Sequence, residues 1–162
     1  MELKSNLGLK NIWKVTCLDV NGNVKWAEEK KNLITTAGLN HILDTQFHAS
    51  TQVTTWSIGL KGAGTPAAGD TMSSHSSWSE ITDYSGDRKE WTEGAAASGS
   101  MTNASSVDFA INGTATIAGA FLNTAATGTA GTLYGVVDFS SARAVISGDT
   151  LQVTVTVTAA SA

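Results

Sequence analysis

The sequence predicts a mainly β protein, a β-sandwich or jelly-roll-like fold with one short α-helix at about residues 37–47. Three observations predict it. Short runs of alternating apolar and polar residues recur along the chain. The clearest sets Leu151, Val153, Val155 and Val157 against Gln152, Thr154, Thr156 and Thr158, the period of a half-buried strand. Turn pairs rich in glycine separate these runs, as at Asn21-Gly22, Asn112-Gly113 and Ser147-Gly148-Asp149. Helical spacing occurs convincingly only once, in Leu39, Ile42, Leu43 and Phe47. Short strands at regular intervals belong to a sandwich rather than to a βα-repeat fold.

Taken in order, residues 1–10 are polar with scattered leucines and read as an N-terminal arm, and residues 11–162 as a single β-sandwich domain. Trp13, Val15 and Cys17 alternate with Lys14 and Thr16, which makes a strand. It turns at Asn21-Gly22, where both residues tolerate positive φ, and returns through Val24 and Trp26. Thr35 or Thr36 supplies a side-chain oxygen to cap a helix from Ala37. A helix this short is not stable alone and must lie on a sheet. The apolar stripe Leu39, Ile42, Leu43 and Phe47 is therefore expected in the core, with Asn40, Asp44 and His48 outward and Gly38 permitting close approach. Trp56, Ile58 and Leu60 predict a strand buried on one face. After the loop bearing Pro66, residues 70–77 predict a single helical turn, and Trp78–Tyr84 and Arg88–Thr92 resume strand character. Residues 94–100 are small and featureless and predict a mobile loop. Strands follow around Val107, Phe109 and Ile111, at 114–122, at 133–139 and at 151–158. The expected core is Trp13, Leu39, Ile42, Leu43, Phe47, Trp56, Ile58, Trp78, Phe109, Val153 and Val155.

At 162 residues one domain is the expectation, and the chain is long enough to build a core without staples. Charged residues are 15% of the sequence, against roughly 25% in ordinary domains. Thr, Ser, Ala and Gly take their place and give a neutral surface with little side-chain entropy to lose when covered. The charge is uneven. Through Lys31 there are six lysines against four acids, and beyond it four basic residues against ten acids. No basic face with arginine or aromatic clusters predicts nucleic-acid binding. No apolar run approaches the ~20 residues of a membrane span, and no apolar leader opens the sequence, so synthesis in a cytoplasm is expected. The single cysteine, Cys17, excludes an internal disulfide framework and reads as a buried inert thiol.

No motif for catalysis or a cofactor stands out. His41 and His48 are seven residues apart, about 10 Å along a helix axis, too far to share a metal, and read as a solvated face. His75 reads as packing on Trp78 or capping a turn. Glu80 with Asp83, and Asp87 with Glu90, are candidate carboxylate pairs, but the neighbouring Arg88 and Lys89 account for them by ion pairing. Asp19, Asn21 and Asn23 faintly resemble a calcium loop without its downstream glutamate, and the hairpin explains them. There is no nucleophile elbow, phosphate loop or dinucleotide fingerprint. All five tryptophans precede residue 92. An exposed row of them would suit sugar rings; each on the apolar phase of its strand would fill a core, with Trp91 the expected exception.

Several longer stretches carry a likeness. Asn32-Leu-Ile-Thr-Thr-Ala-Gly-Leu, Trp56-Ser-Ile-Gly-Leu, Thr65-Pro-Ala-Ala-Gly-Asp-Thr-Met-Ser-Ser-His and Trp78-Ser-Glu-Ile-Thr-Asp-Tyr-Ser resemble small structural proteins of tailed bacteriophages. Gly131-Thr-Leu-Tyr-Gly and Ser147-Gly-Asp-Thr-Leu-Gln-Val-Thr fit the same group. Among these the sequence most resembles the capsid decoration, or cement, proteins, with tail or fibre components the alternative. The resemblance implies a sandwich or jelly-roll protomer without catalytic residues or cofactors. It also implies a homotrimer seated at three-fold or quasi-three-fold positions on the outside of a phage shell, with the major capsid protein as partner. The basic bias of the first segment adds an expectation that the arm, through Lys4 and Lys10, reaches along that shell. Removing residues 1–10 should then weaken capsid binding and leave the fold intact.

Overall fold

The structure, a computed structural model, describes residues 7–161. Among them two antiparallel sheets face each other as a β-sandwich, with one α-helix at an end. The first sheet is built on β1 (Leu7–Leu18), which pairs with β11 (Thr150–Ser161) along its whole length, from Leu7 opposite Ser161 to Leu18 opposite Thr150. β2 (Val24–Lys31) flanks β1. The far edge of β11 is shared by β7 (Ser100–Thr102) and β8 (Val107–Ala110). The second sheet runs β3 (Leu33–Ile34), β10 (Leu133–Val145), β9 (Ala115–Asn123), β4 (Trp56–Lys61), whose outer edge takes β5 (Glu80–Ile81) and β6 (Lys89–Trp91).

The alternations in the sequence aim their apolar phases into one layer. Trp13, Val15 and Cys17 of β1 and Leu151, Val153 and Val155 of β11 are all buried. So are Phe109 of β8, Ile58 and Leu60 of β4 and Leu122 of β9. A second, smaller cluster lies on the outer face of the second sheet, where Met72 and Trp78 from the 62–79 connection cover Phe121, Leu133 and Val136. Its presence corrects the expectation that β4 buries one face: Ser57, Gly59 and Lys61 are buried too. Gly59 is required there, since a Cβ would stand 2.3 Å from the Phe121 ring. Lys61 loses all contact with water, and its ammonium donates to Gly62 O at 3.0 Å and Gly64 O at 2.6 Å. It also pairs with Asp138 at 2.6 Å, which supplies the partners a buried cation needs.

Four further expectations are corrected. β1 begins at Leu7 rather than Asn11, so Leu7–Lys10 belong to the sheet, and of the expected arm residues 1–6 lie outside the described part. The expected hairpin at Asn21-Gly22 forms, β1 pairing antiparallel with β2, but its connection is the five residues 19–23 rather than a two-residue turn. The Asp19 carboxylate accepts the backbone N–H of Asn21 and of Asn23, each at 2.8 Å, and Gly22 takes φ +81°. Residues 70–77 form a tight turn bridged between Thr71 and Ser74 instead of a helical turn. Residues 94–100 are tied down: Gly94 N–H donates to Thr102 O, Ala97 and Ser100 close a turn, and Ala159 N–H donates to Gly99 O.

Both long seams of the sandwich are closed by polar side chains. On one, Glu28 of β2 accepts the backbone N–H of Ser140 at 2.5 Å and pairs with Arg143, while Trp26 packs on Phe139. On the other, Trp91 of β6 meets Asn103, whose amide bonds to β11.

Candidate functional site

The helix α1 (Thr36–Phe47) builds the most distinctive surface. Thr35 caps it, its hydroxyl oxygen accepting the Gly38 N–H at 3.0 Å and its own proton going to Leu133 O. Gly38 presses on β10 so closely that a Cβ would lie 2.3 Å from the Tyr134 carbonyl oxygen. That contact fixes the rotation of the helix. Successive residues turn by about 100°, so the face carrying Gly38 and Ile42 meets the sandwich, and the face carrying Leu39, Leu43 and Phe47 is swung away from it. Leu39 is 42%, Leu43 55% and Phe47 80% exposed. The expectation that these three fill the core is overturned, because the smallest residue, not the largest, takes the closest approach. Ile42 alone of the stripe packs inward, partly buried.

Beside this ridge the end of the sandwich is open. Trp56, half-buried rather than core, stands with its ring edge-on to Tyr134 at 5.5 Å and to His41 at 5.4 Å. A trough of about 470 Å³ runs between Phe47, Leu43, Val53, Trp56, Met101 and Leu7, and Leu7 is 73% exposed. Sharing the walls Ile42, Trp56 and Met101, an apolar cavity of about 180 Å³ continues inward to Leu9, Tyr134 and Val157. Burial pushes the Tyr134 hydroxyl above its ordinary range, the Asn11 side chain opposing that in part, so the phenol at the floor stays protonated. The stretch between Lys31 and Lys61, which forms most of this surface, has a single formal charge, Asp44. The chemistry on offer is apolar burial with aromatic edges.

The other polar concavity, of about 230 Å³, contains Glu80, Tyr84, Asp87 and Arg88. Its arginine is already spent. Arg88 grips Glu80 through two N–H···O bonds of 2.7 and 2.6 Å, donates to Ala125 O and Gly128 O, and lies over the Phe121 ring. Glu80 is thereby an ion-pair partner of a buried guanidinium: the anticipated pairing is present, but buried rather than on the surface. Burial pushes the Tyr84 hydroxyl well above its ordinary range. Among the described residues no three His, Cys, Asp or Glu side chains are grouped to hold a metal ion. No helix of these residues is long and apolar enough to cross a membrane.

Of the remaining expected residues, Trp13, Ile58, Phe109, Val153 and Val155 are in the inter-sheet core and Trp78 in the outer cluster. His75 stacks on Trp78 at 3.9 Å as expected, whereas His41 packs on Trp56 instead of facing solvent alone. Trp91, expected to be exposed, is buried. Cys17 is buried, and desolvation lifts its thiol to about 11. Lys10 is exposed on β1; Lys4 lies outside the described residues. Sequence reasoning passed over Asn103 and Lys61, polar residues whose burial only the pairing of distant strands creates. Comparison with protein-family models and with curated protein sequences found no match to this chain.

Proposed function

We propose that this protein is a non-enzymatic structural component of a tailed-phage virion that decorates and stabilises the capsid from outside, as a trimer at three-fold or quasi-three-fold positions. The observation that carries the reading is the apolar ridge of α1 beside an open apolar trough. An exposed, mainly apolar surface with a polar rim, here His41, Thr45, Gln46 and Gln52, marks a place where another protein is seated. The resemblance of the sequence to decoration proteins supplies the kind of assembly. The low-charge Ser/Thr/Ala/Gly surface suits it, since few long side chains must be ordered when it is covered. Several copies engaging several shell subunits add modest contacts into high avidity, and a protein that binds only the assembled shell stabilises it by mass action.

The reading is tested by adding the purified protein to phage heads stripped of it. Saturable co-sedimentation and heads that resist heat longer are expected; absence of binding at any concentration would refute it. The carbohydrate-binding alternative loses ground, because Trp13, Trp78 and Trp91 are buried and cannot join an exposed row. The arm hypothesis needs a narrower deletion than residues 1–10, which would strip Leu7–Lys10 from their pairing with β11. Removing residues 1–6 leaves that ladder whole, and weaker head binding of this shortened chain is the expected result.

A further inference from the structure

We infer that the α1 ridge is the contact between copies of this chain, Phe47 of one copy entering the trough of its neighbour. The inference rests on the proposed function for its assembly and names the partner of that same surface.

Knob and hole occur on one molecule. Phe47 projects with 80% of its surface exposed, and immediately beside it the trough leads past Ile42, Trp56 and Met101 into an apolar cavity of about 180 Å³. A dry cavity of roughly 150 Å³ already admits a benzene ring, so a phenylalanine side chain is of the right size and chemistry. The spacing of the ridge fits as well. Leu39, Leu43 and Phe47 follow one another at four-residue intervals, the row that packs into the grooves of a second helix.

Charge decides among occupants. The surface has no lysine or arginine between Lys31 and Lys61 and one formal charge, Asp44. Two copies therefore bring only one like charge each, Asp44, to their contact. An anionic lipid surface would find none of the basic residues that such helices carry, and a strongly charged partner would find nothing to pair with. A patch that holds both its knob and its hole is self-complementary, and passed from copy to copy it closes the ring of three that the proposed assembly requires.

The test uses the full chain and its Phe47→Ser and Leu43→Gln variants. Both positions are exposed in the single chain, so the variants should keep the wild-type circular dichroism, and should lose only the part of the unfolding midpoint that rises with protein concentration. Sedimentation equilibrium of the wild type should give the mass of three chains. Both variants should shift toward one chain, with association weakened at least tenfold. A wild type that stays at one chain up to high micromolar concentration, or variants with undiminished association, would overturn the inference. So would pelleting of the wild type, but not the Phe47→Ser variant, with phosphatidylcholine vesicles. Head binding is measured in parallel. A chain that is single in solution and whose head binding is lost in Phe47→Ser turns the ridge toward the shell, which overturns the inference and leaves the function standing. An oligomer broken by Phe47→Ser that never binds heads supports the inference and refutes the function.

Discussion

The indole N–H of Trp91 donates to Oδ1 of Asn103 at 2.6 Å, and through that one amide the two sheets are tied along a seam. The same Oδ1 accepts the Val155 N–H at 2.7 Å, and Nδ2 donates to Val153 O at 2.9 Å. Trp91 belongs to β6 of one sheet, Val153 and Val155 to β11 of the other. Asn103→Ala leaves three buried polar groups without partners, and each such group costs about 1–3 kcal/mol. With partial relaxation the loss should be about 3 kcal/mol in urea unfolding. Trp91→Phe removes one donor and some volume and should cost less, about 1–2 kcal/mol. Equal losses would mean the amide does not bridge.

Arg88 and Glu80 form the buried ion pair that also holds the 125–128 loop. Arg88→Ala strands a carboxylate and empties the space over Phe121, a change of the kind that costs about 3–5 kcal/mol. Protease should then cut at the 125–128 loop before elsewhere. Arg88→Met, which fills the space without the charge, should recover packing but not loop protection.

Gly38→Ala sets the placement of α1 at stake. A Cβ there meets the backbone of Tyr134, not a side chain that can swing away, so the helix must lift. Overpacking of this kind costs about 1–3 kcal/mol, even though alanine is the better helix former. Unfolding midpoints and the fluorescence of Trp56 at the trough read both effects.

Phe47→Ser is expected to do the opposite. Its side chain is exposed in the protomer, and a surface change of this sort lies within about 0.5 kcal/mol. A loss of several kcal/mol in the protomer would instead return Phe47 to the core.

Cys17 gives the pH dependence. Burial, with Asp149 adding to it, lifts the thiol from 9.0 to about 11. The folded chain therefore holds a proton that the unfolded chain gives up, and the stability it represents is whole below pH 9. It falls as pH rises between about 9 and 11 and levels off above. Denaturant melts across that window should show the fall in the wild type and a shallower one in Cys17→Ala. At pH 8 a thiol reagent should label Cys17 only after unfolding.

The period-two runs of β1, β8 and β11 were readable because each of these strands has one buried face, and alternation is the imprint of that condition. A threonine cap at Thr35 or Thr36 and the helix after it were equally legible, since capping is local chemistry, and the fold selects Thr35. β4 was misjudged because alternation of Trp56, Ile58 and Leu60 says nothing of a second layer, supplied here by Met72 and Trp78 from the 62–79 connection. The short strands around Glu80, Lys89 and Ser100 have too few residues to show a period, and their extent follows from the long strands they edge.

The candidate surface was read with the right residues and the wrong direction. Leu39, Leu43 and Phe47 form an apolar stripe in any helix over residues 36–47, and the order of residues alone carries that stripe, a threonine cap at Thr35 or Thr36 and the sandwich class. Whether the stripe points in or out depends on which neighbouring face approaches the sheet more closely. Gly38, lying against the Tyr134 carbonyl, took that place, and only the packing of α1 on β10 decided it. The same holds for Lys61 and Asn103: their donors and acceptors are written in the chain, but the partners that make burial tolerable come from strands far away in sequence.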